Sequence, residues 1–366
     1  MSYFLYFFFV SIVVVSLFGE MPVAVVCLLL AILLATFAAF RGPEVAFDFT
    51  VYQDWYAHRD EETGFLERPG YFEALYFVLN DVFSVAGMQF RFFIGFLAFF
   101  AVFIKTNVML TFARNASAAG IGVLIYTFTF YLLHEFTQIR AGLAVAFIFL
   151  AIQALMHEKR AFFVFWILVA VGFHSSAIMA FTLLLPYHGS RVRWLDWALL
   201  GVTGMVYVLA ALGMGLGLWL VDLLSAFDPR VALYISMAEN GNSDAANPFS
   251  ASAMLLLILV VCLMEVGKNR YHRSGLSAQD VKAIVLIRRS MLIGLSCLAV
   301  FSSVPELALR LFEINIALLP ILATIVFSRK GWLLEKFLLL LWACTLTAIY
   351  IGRDEGLVQP YLLFFT

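Results

Sequence analysis

The chain has 366 residues, of which 64% are hydrophobic and 13% are charged, and its formal net charge is −1. Apolar runs that are long enough to cross a hydrocarbon core of about 30 Å recur along it. The runs are continuous and lack the alternation typical of a transmembrane β-barrel, so helices are the expected spanning elements. The sequence therefore predicts an all-α, polytopic helical membrane protein rather than a soluble enzyme.

About twelve transmembrane or half-membrane helices are predicted, within a single integral membrane domain that covers residues 1–366. The candidate spans lie at residues 3–18, 22–40, 88–104, 118–134, 137–156, 195–214, 251–266, 290–304, 309–327 and 337–351. The first is expected to be a retained helix, because no basic region precedes it as in a signal peptide. Basic residues flank the stretch 162–186 on both sides, which favours a hairpin of two short helices turning near His174.

Basic residues also predict the orientation of the helices. With the hairpin in place, every lysine falls on one face, including Lys105 after the third span and those of a basic loop at 267–289. The positive-inside bias makes this face cytoplasmic. Two long segments lie on the opposite, extracytoplasmic face: 41–87, an acidic loop followed by an interfacial helix, and the turn-rich 215–250.

Two arginines lie at the mouths of long apolar runs, where a guanidinium costs about 3 kcal/mol even on insertion scales and needs a partner or a function. Arg310 shares a helix face with Glu306 and Glu313, so it is either a structural ion pair or an arginine that its carboxylates aim at a phosphate. Arg140 has no acid on its own face, because Glu135 lies about 140° around the helix. This difference favours Arg140 as a substrate-binding residue.

His174 lies at the predicted outer turn of the short hairpin, in Val171-Gly-Phe-His-Ser-Ser-Ala177. A lone histidine is often structural, but a neutral imidazole here could also act as a general base or donate a hydrogen bond to a phosphate. Motifs for binding nucleotides or divalent metals are missing, so no metal and no cofactor is expected. The four cysteines lie in apolar runs without paired spacing, which indicates packing rather than disulfides or zinc.

Several short motifs, taken in order, resemble the Wzy/EpsG-type bacterial polysaccharide polymerases. They are Arg41-Gly42 with Asp48 and Tyr52, Glu67-Arg-Pro-Gly70-Tyr71 with Leu79-Asn80, Gln138-Ile-Arg140-Ala-Gly-Leu-Ala144, Phe173-His174-Ser-Ser-Ala177, Tyr234, and Arg310-Leu-Phe with Pro320. Each motif is weak alone, whereas their order across a chain of this hydropathy is more specific.

The resemblance implies a GT-C-like glycosyltransferase of the bacterial inner membrane, with an active site that faces the periplasm or exterior. It would join undecaprenyl-diphosphate-linked oligosaccharide repeat units without a metal, and the lipid diphosphate would be the leaving group. Arginines would then stabilise the charge that develops on the diphosphate. The expected partners are these lipid-linked substrates, membrane lipids and a chain-length regulator, with no nucleic acid.

The resemblance and the residue chemistry together give the candidate site. The candidates for catalysis, with His174 the first choice as base, are His174, Arg140, Glu135 and Asp48. The candidates for pyrophosphate binding are Arg140, Arg310, Arg91 and Arg41. The candidates for sugar binding are Tyr52, Tyr71, Tyr234, Glu67 and Glu73.

Three alternatives remain open from the sequence. A flippase or transporter for lipid-linked sugars would also place arginines in a cavity, but such folds often contain internal repeats, and none is visible. An O-antigen-ligase-like GT-C transferase would differ in its acceptor. An assembly subunit would use the arginines only for folding.

Overall fold

Long apolar segments form helices here, because inside a bilayer every backbone group must find its hydrogen bond within the segment. A computed structural model of the chain describes residues 12, 16, 19–43, 48–57, 73–186, 190–214, 231–232, 234–236, 245–264 and 276–352, with side chains of the 190–214 stretch from 194 onward. Within these ranges the helices are α1 Val23–Ala39, α2 Phe49–Ala57, α3 Ala74–Val85, α4 Phe90–Thr111, α5 Ala116–Tyr126 with a π-helical end at Thr127–Tyr131, α6 Ile139–Met156, α7 Arg160–Phe173, a 3₁₀ helix at Ser175–Leu184, α8 Ser190–Ala211, α9 Ala251–Leu263, α10 Ala278–Val300, α11 Pro305–Ile316, α12 Leu319–Phe327 and α13 Leu333–Gly352.

The prediction of an all-α polytopic membrane protein is confirmed. Among the described residues, six segments are long and apolar enough to cross a membrane, namely α4, α6, α8, α10, α13 and the Pro305–Phe327 segment of α11 and α12. Six shorter apolar helices accompany them: α1, α3, α5 with its π-helical end, α7, the 3₁₀ helix and α9. The first predicted span, 3–18, lies almost wholly outside the described residues.

The predicted break near His174 is present. Helix α7 ends at Phe173, His174 has an extended backbone with φ −154° and ψ 117°, and the 3₁₀ helix begins at Ser175. The predicted interfacial helix of segment 41–87 corresponds to α3, and α2 lies within the same segment. The predicted faces of the membrane for 41–87 and 215–250 stay predictions.

Two predicted boundaries shift because buried ion pairs let a helix carry charge. The prediction that Lys105 follows the third span is wrong: Lys105 lies inside α4, fully buried, and forms an ion pair with Glu135. The predicted basic loop 267–289 ends earlier than expected, because α10 begins at Ala278 with a capping box formed by Ser277 and Asp280. Residues 278–289 of that predicted loop are therefore helical, and the two arginines at its end are buried.

The chain divides into two compact units, and each is described here by itself. The first comprises residues 1–178, 320–336 and 343–366, and the second comprises 179–319 and 337–342. The prediction of a single integral membrane domain stays a prediction.

In the first unit α4 packs against α1 and α6, and α7 packs against α6 and α3. A Cβ added at Gly122 would lie 2.0 Å from the Thr324 hydroxyl oxygen, so α5 and α12 approach each other closely at this glycine.

In the second unit α10 packs against α8, α9 and α11. Two neighbouring arginines of α10, Arg288 and Arg289, are buried and both contact the carboxylate of Asp196 on α8. The carboxylate stabilises two charges that would otherwise be costly inside the unit. A Cβ added at Gly294 would lie 2.7 Å from the Cβ of Asn315, so α10 and α11 also pack closely.

Candidate active site

The carboxylate of Glu73, just before α3, is the centre of a buried polar cluster in the first unit. Glu73 is fully buried, and its Oε2 accepts a hydrogen bond from the Arg140 guanidinium in an ion pair. Its Oε1 lies 3.1 Å from Nδ1 of His174 and 3.4 Å from the backbone nitrogen of Ser175, whose N–H donates to it. One carboxylate therefore connects two side chains that are far apart in the sequence.

Three helix ends bring these groups together. Arg140 is in the first turn of α6, His174 follows the end of α7, and Glu73 immediately precedes α3. Because α7 packs against both α6 and α3, the three ends meet. Gly172, two residues before His174, permits this approach, since a Cβ there would lie 2.7 Å from the side chain of Leu75.

Three aromatic rings surround the Arg140 guanidinium. Its central carbon lies 4.7 Å from the ring centre of Trp55, 5.5 Å from that of Tyr52 and 5.7 Å from that of Tyr76. Each cation–π contact of this kind contributes about 0.5–2 kcal/mol. Burial raises the pKa of the Tyr52 phenol, although the charge of Arg140 opposes the shift. Tyr52 therefore stays protonated and keeps a hydroxyl donor at this position.

Arg140 keeps hydrogen-bonding capacity beyond its ion pair. Its side chain is 14% exposed, and its Nε atom is buried without a hydrogen-bond partner in the described part of the chain. A guanidinium has five N–H donors in a plane; Glu73 accepts from the Nη1 nitrogen, and the Tyr52 hydroxyl is a second hydrogen-bond partner of the group. The remaining donors suit the oxygens of a phosphate.

The contact between Glu73 and His174 has a chemical consequence. When Nδ1 carries the imidazole proton, it donates to Glu73 and Nε2 becomes the basic nitrogen. The carboxylate also stabilises the imidazolium that forms when Nε2 takes a proton, as the aspartate does in catalytic triads. The arrangement therefore fits a histidine base held in one orientation.

The structure brings four predicted residues together: Arg140, His174, Glu73 and Tyr52. Asp48 is close to them, because its carbonyl oxygen accepts the backbone N–H of Tyr52 at 3.0 Å at the start of α2. The roles assigned to these residues stay predictions. Glu73, predicted as a sugar ligand, has instead the contacts of a counter-ion.

Other predicted residues have different surroundings. Glu135, the substitute base, is buried in its ion pair with Lys105. Arg41 is fully buried, donates to the carbonyl oxygen of Ala38 at 2.7 Å, and packs on aromatic rings. Arg91 is half-buried in the first turn of α4. Tyr71 and Glu67 lie outside the described residues.

In the second unit the guanidinium carbon of Arg310 lies 5.1 Å from the ring centre of Tyr234. Glu306, Arg310 and Glu313 lie on one helix as predicted, but within the described residues Arg310 forms no ion pair, so the structural ion pair, one of the two readings from the sequence, is not found there. The contrast expected between the two arginines is therefore reversed. Arg140 has a carboxylate partner, and Arg310 has an aromatic one.

The sequence interpretation missed two features of the cluster. Trp55 approaches the Arg140 guanidinium more closely than either tyrosine, and Glu73 is its counter-ion. A signal for both was available: Trp55 lies in the aromatic run Tyr52-Gln-Asp-Trp-Tyr56, and Glu73 is an acid beside an apolar helix. Neither pattern alone identifies the partner.

Comparison with known families identifies the family of the chain. The EpsG family profile matches residues 24–363, a range that contains every residue of the buried cluster. No curated protein and no solved structure matches the chain. The match covers most of the sequence, and the chain belongs to the EpsG family, the family of Wzy-type polysaccharide polymerases.

Proposed function

We propose that this membrane protein polymerises undecaprenyl-diphosphate-linked oligosaccharide repeat units at the extracytoplasmic face of the bacterial inner membrane. Family membership supports a polysaccharide polymerase of the glycosyltransferase type. The observation that carries the finer proposal is the buried Glu73 carboxylate, which contacts both Arg140 and His174. It joins a phosphate-binding group to a candidate base in one cluster.

In the proposed reaction a hydroxyl of the acceptor saccharide attacks the anomeric carbon of the donor. His174 takes the hydroxyl proton on Nε2, and Glu73 stabilises the resulting imidazolium. The bond between the anomeric carbon and the diphosphate oxygen breaks, and the diphosphate leaves with the electron pair. The free N–H groups of Arg140 stabilise the charge that develops on this oxygen. Tyr52 and Trp55 provide a hydroxyl and a ring face for sugars beside the guanidinium.

The proposed partners follow from the reaction. Two lipid-linked oligosaccharides and the surrounding lipids are required, and a chain-length regulator would act on the product. Arginine side chains supply the charge stabilisation in this scheme, which uses no metal and no cofactor.

Reconstitution tests the proposal. Purified protein in liposomes, given purified lipid-linked repeat unit, is expected to produce a ladder of oligomers. His174→Gln is expected to slow ladder formation by about 10⁴-fold, the upper end of the usual contribution of a general base. His157→Gln changes an exposed histidine at the end of α6 and is the matched control.

The outcomes separate the alternatives. Movement of the lipid-linked sugar across the bilayer without any ladder would identify a flippase and contradict the proposal. Transfer of the glycan to a different acceptor would indicate a ligase-like enzyme. Equal ladders from the His174→Gln and His157→Gln proteins would remove His174 from the mechanism.

A further inference from the structure

Two polar side chains at the start of α11 have buried, unsatisfied atoms, and Arg310 lies one turn further along the same helix. The Ser303 hydroxyl oxygen and the Glu306 Oε2 atom are buried and have no hydrogen-bond partner in the described part of the chain. Arg310 makes a single contact there, its guanidinium carbon lying over the Tyr234 ring. Buried polar groups are almost always hydrogen-bonded, so two unsatisfied atoms within four consecutive residues, close to an arginine without an ion pair in the described part of the chain, point to a missing partner.

The spacing of Glu306 and Arg310 strengthens this observation. Glu306 and Arg310 are four residues apart on a helix, a separation at which opposite charges readily pair. They lie in the Pro305–Phe327 segment, which is apolar enough to span a membrane, so separate charges are costly there. The absence of the pair among the described contacts indicates that the two side chains are arranged for something other than each other.

The Tyr234 ring leaves the binding edge of Arg310 available. The guanidinium carbon lies over this ring, 5.1 Å from its centre, and Arg310 forms no ion pair with the described residues. The five N–H donors lie in the plane of the guanidinium, where they can form paired hydrogen bonds to phosphate or carboxylate oxygens. The ring contact therefore positions the arginine and leaves it without an oxygen acceptor among the described residues.

We propose that Ser303, Glu306 and Arg310 form a binding subsite for the glycosyl phosphate end of a lipid-linked saccharide. Arg310 binds the phosphate, and Glu306 and Ser303 hydrogen-bond to hydroxyls of the adjacent sugar. The inference rests on the proposed function, because it names the part of the substrate that this subsite of the second unit recognises.

A glycosyl phosphate fits this set better than a phosphate alone. Phosphate would satisfy Arg310, but it would leave Glu306 unsatisfied and would be repelled by its charge. Residues four apart on a helix are separated by about 6 Å along its axis, a distance that a phosphate and the hydroxyls of its attached sugar can span. The sugar hydroxyls donate to the carboxylate, and the phosphate accepts from the guanidinium. One ligand therefore satisfies both charges.

Binding measurements test the subsite without relying on turnover. Purified full-length protein in zwitterionic nanodiscs is titrated with two probes: undecaprenyl diphosphate carrying one sugar, and undecaprenyl diphosphate without sugar. Arg310→Lys is expected to weaken both probes about tenfold or more, because a lysine does not reproduce the paired contacts. Glu306→Gln and Ser303→Ala are expected to weaken the sugar-bearing probe several-fold and to leave the sugar-free probe unchanged or tighter. Ser302→Ala, the same change one residue earlier, is the control.

Each outcome either supports or overturns the subsite. Equal effects of Glu306→Gln and Ser303→Ala on the two probes, or no effect on either, would overturn it. If phosphatidylglycerol competes with the sugar-bearing probe and binds with the same affinity, the site is an ordinary lipid headgroup site and the subsite is overturned as well. If Arg310→Lys does not fold, the other two variants still decide the question.

The subsite and the proposed function can fail separately. Wild-type protein that binds the sugar-bearing probe selectively but forms no ladder would support the subsite and contradict polymerisation. Protein that forms ladders while Glu306→Gln and Ser303→Ala leave probe binding unchanged would support polymerisation and overturn the subsite. His174→Gln is expected to bind both probes normally while losing turnover.

Discussion

Replacing Glu73 by glutamine tests whether the buried cluster works as one unit. The substitution keeps the size and one oxygen acceptor, but it removes the charge that Arg140 and His174 share. The loss of an oriented carboxylate behind a catalytic histidine lowers turnover by about 10⁴-fold in serine proteases. We expect about 10³–10⁴-fold slower ladder formation here, equivalent to about 4–5.5 kcal/mol in activation free energy.

The same substitution also affects stability. Arg140 would lose the carboxylate of a buried ion pair, and removing one member of such a pair costs about 3–5 kcal/mol. Three aromatic rings and a 14% exposed side chain offset part of this loss. We therefore expect the lower end of that range, measured as a decrease in thermal stability of the detergent-solubilised protein. Glu20→Gln, at an exposed carboxylate, is the control.

A double-mutant cycle provides the decisive comparison. If Glu73 acts through His174, the double variant Glu73→Gln/His174→Gln should be no slower than His174→Gln alone, because groups that act as a unit are not additive. Ladder rates are measured for the wild type, both single variants and the double variant at one substrate concentration. A double variant whose loss equals the product of the two single losses would refute the coupling.

Three further predictions concern packing around the cluster and in the second unit. Lys105→Met leaves Glu135 as an uncompensated buried charge and should destabilise the protein by about 3–5 kcal/mol. The double variant Lys105→Met/Glu135→Gln should recover much of that stability. Thermal unfolding of the wild type, the single variant and the double variant checks this. Gly142→Ala places a Cβ 3.0 Å from the backbone carbon of His134 and 3.1 Å from Glu135 Oε1. We expect it to lower the free energy of unfolding by about 1–3 kcal/mol and, by displacing Arg140, two residues earlier in the chain, to slow ladder formation. Normal unfolding and normal turnover would contradict this prediction. Asp196→Asn removes the carboxylate shared by the two buried arginines of α10. It should therefore lower the unfolding temperature of the full chain. An unchanged unfolding temperature would contradict this prediction.

The fold was accessible from sequence because hydropathy and charge report directly on the bilayer. Long apolar runs gave most of the helices, and basic residues on both sides of 162–186 led to the break at His174. The error at Lys105 has the same origin. A lysine after an apolar run is usually a loop residue, but Glu135, thirty positions later, compensates its charge and lets α4 continue. The sequence around Lys105 does not indicate that Glu135 is its partner.

The site was harder to derive because its partners come from different helices. Helical spacing gave Arg140 no acidic partner on its own helix, and its carboxylate is 67 residues earlier in the chain. For Arg310 the spacing suggested two carboxylate partners, and no ion pair is found among the described residues. Spacing on one helix states which side chains can meet, and tertiary packing decides which of them do.

The charges of the cluster suit a reaction that both moves a proton and releases a diphosphate. With His174 neutral, the charges of Glu73 and Arg140 offset each other within the described part of the cluster. Under the proposed mechanism, transfer of the acceptor proton to His174 gives Glu73 a second cationic neighbour. The carboxylate then holds Arg140 less tightly at the moment when the leaving diphosphate gains charge and attracts the guanidinium. Under this mechanism a single carboxylate couples proton transfer to leaving-group stabilisation, and that coupling requires Glu73 to contact both residues.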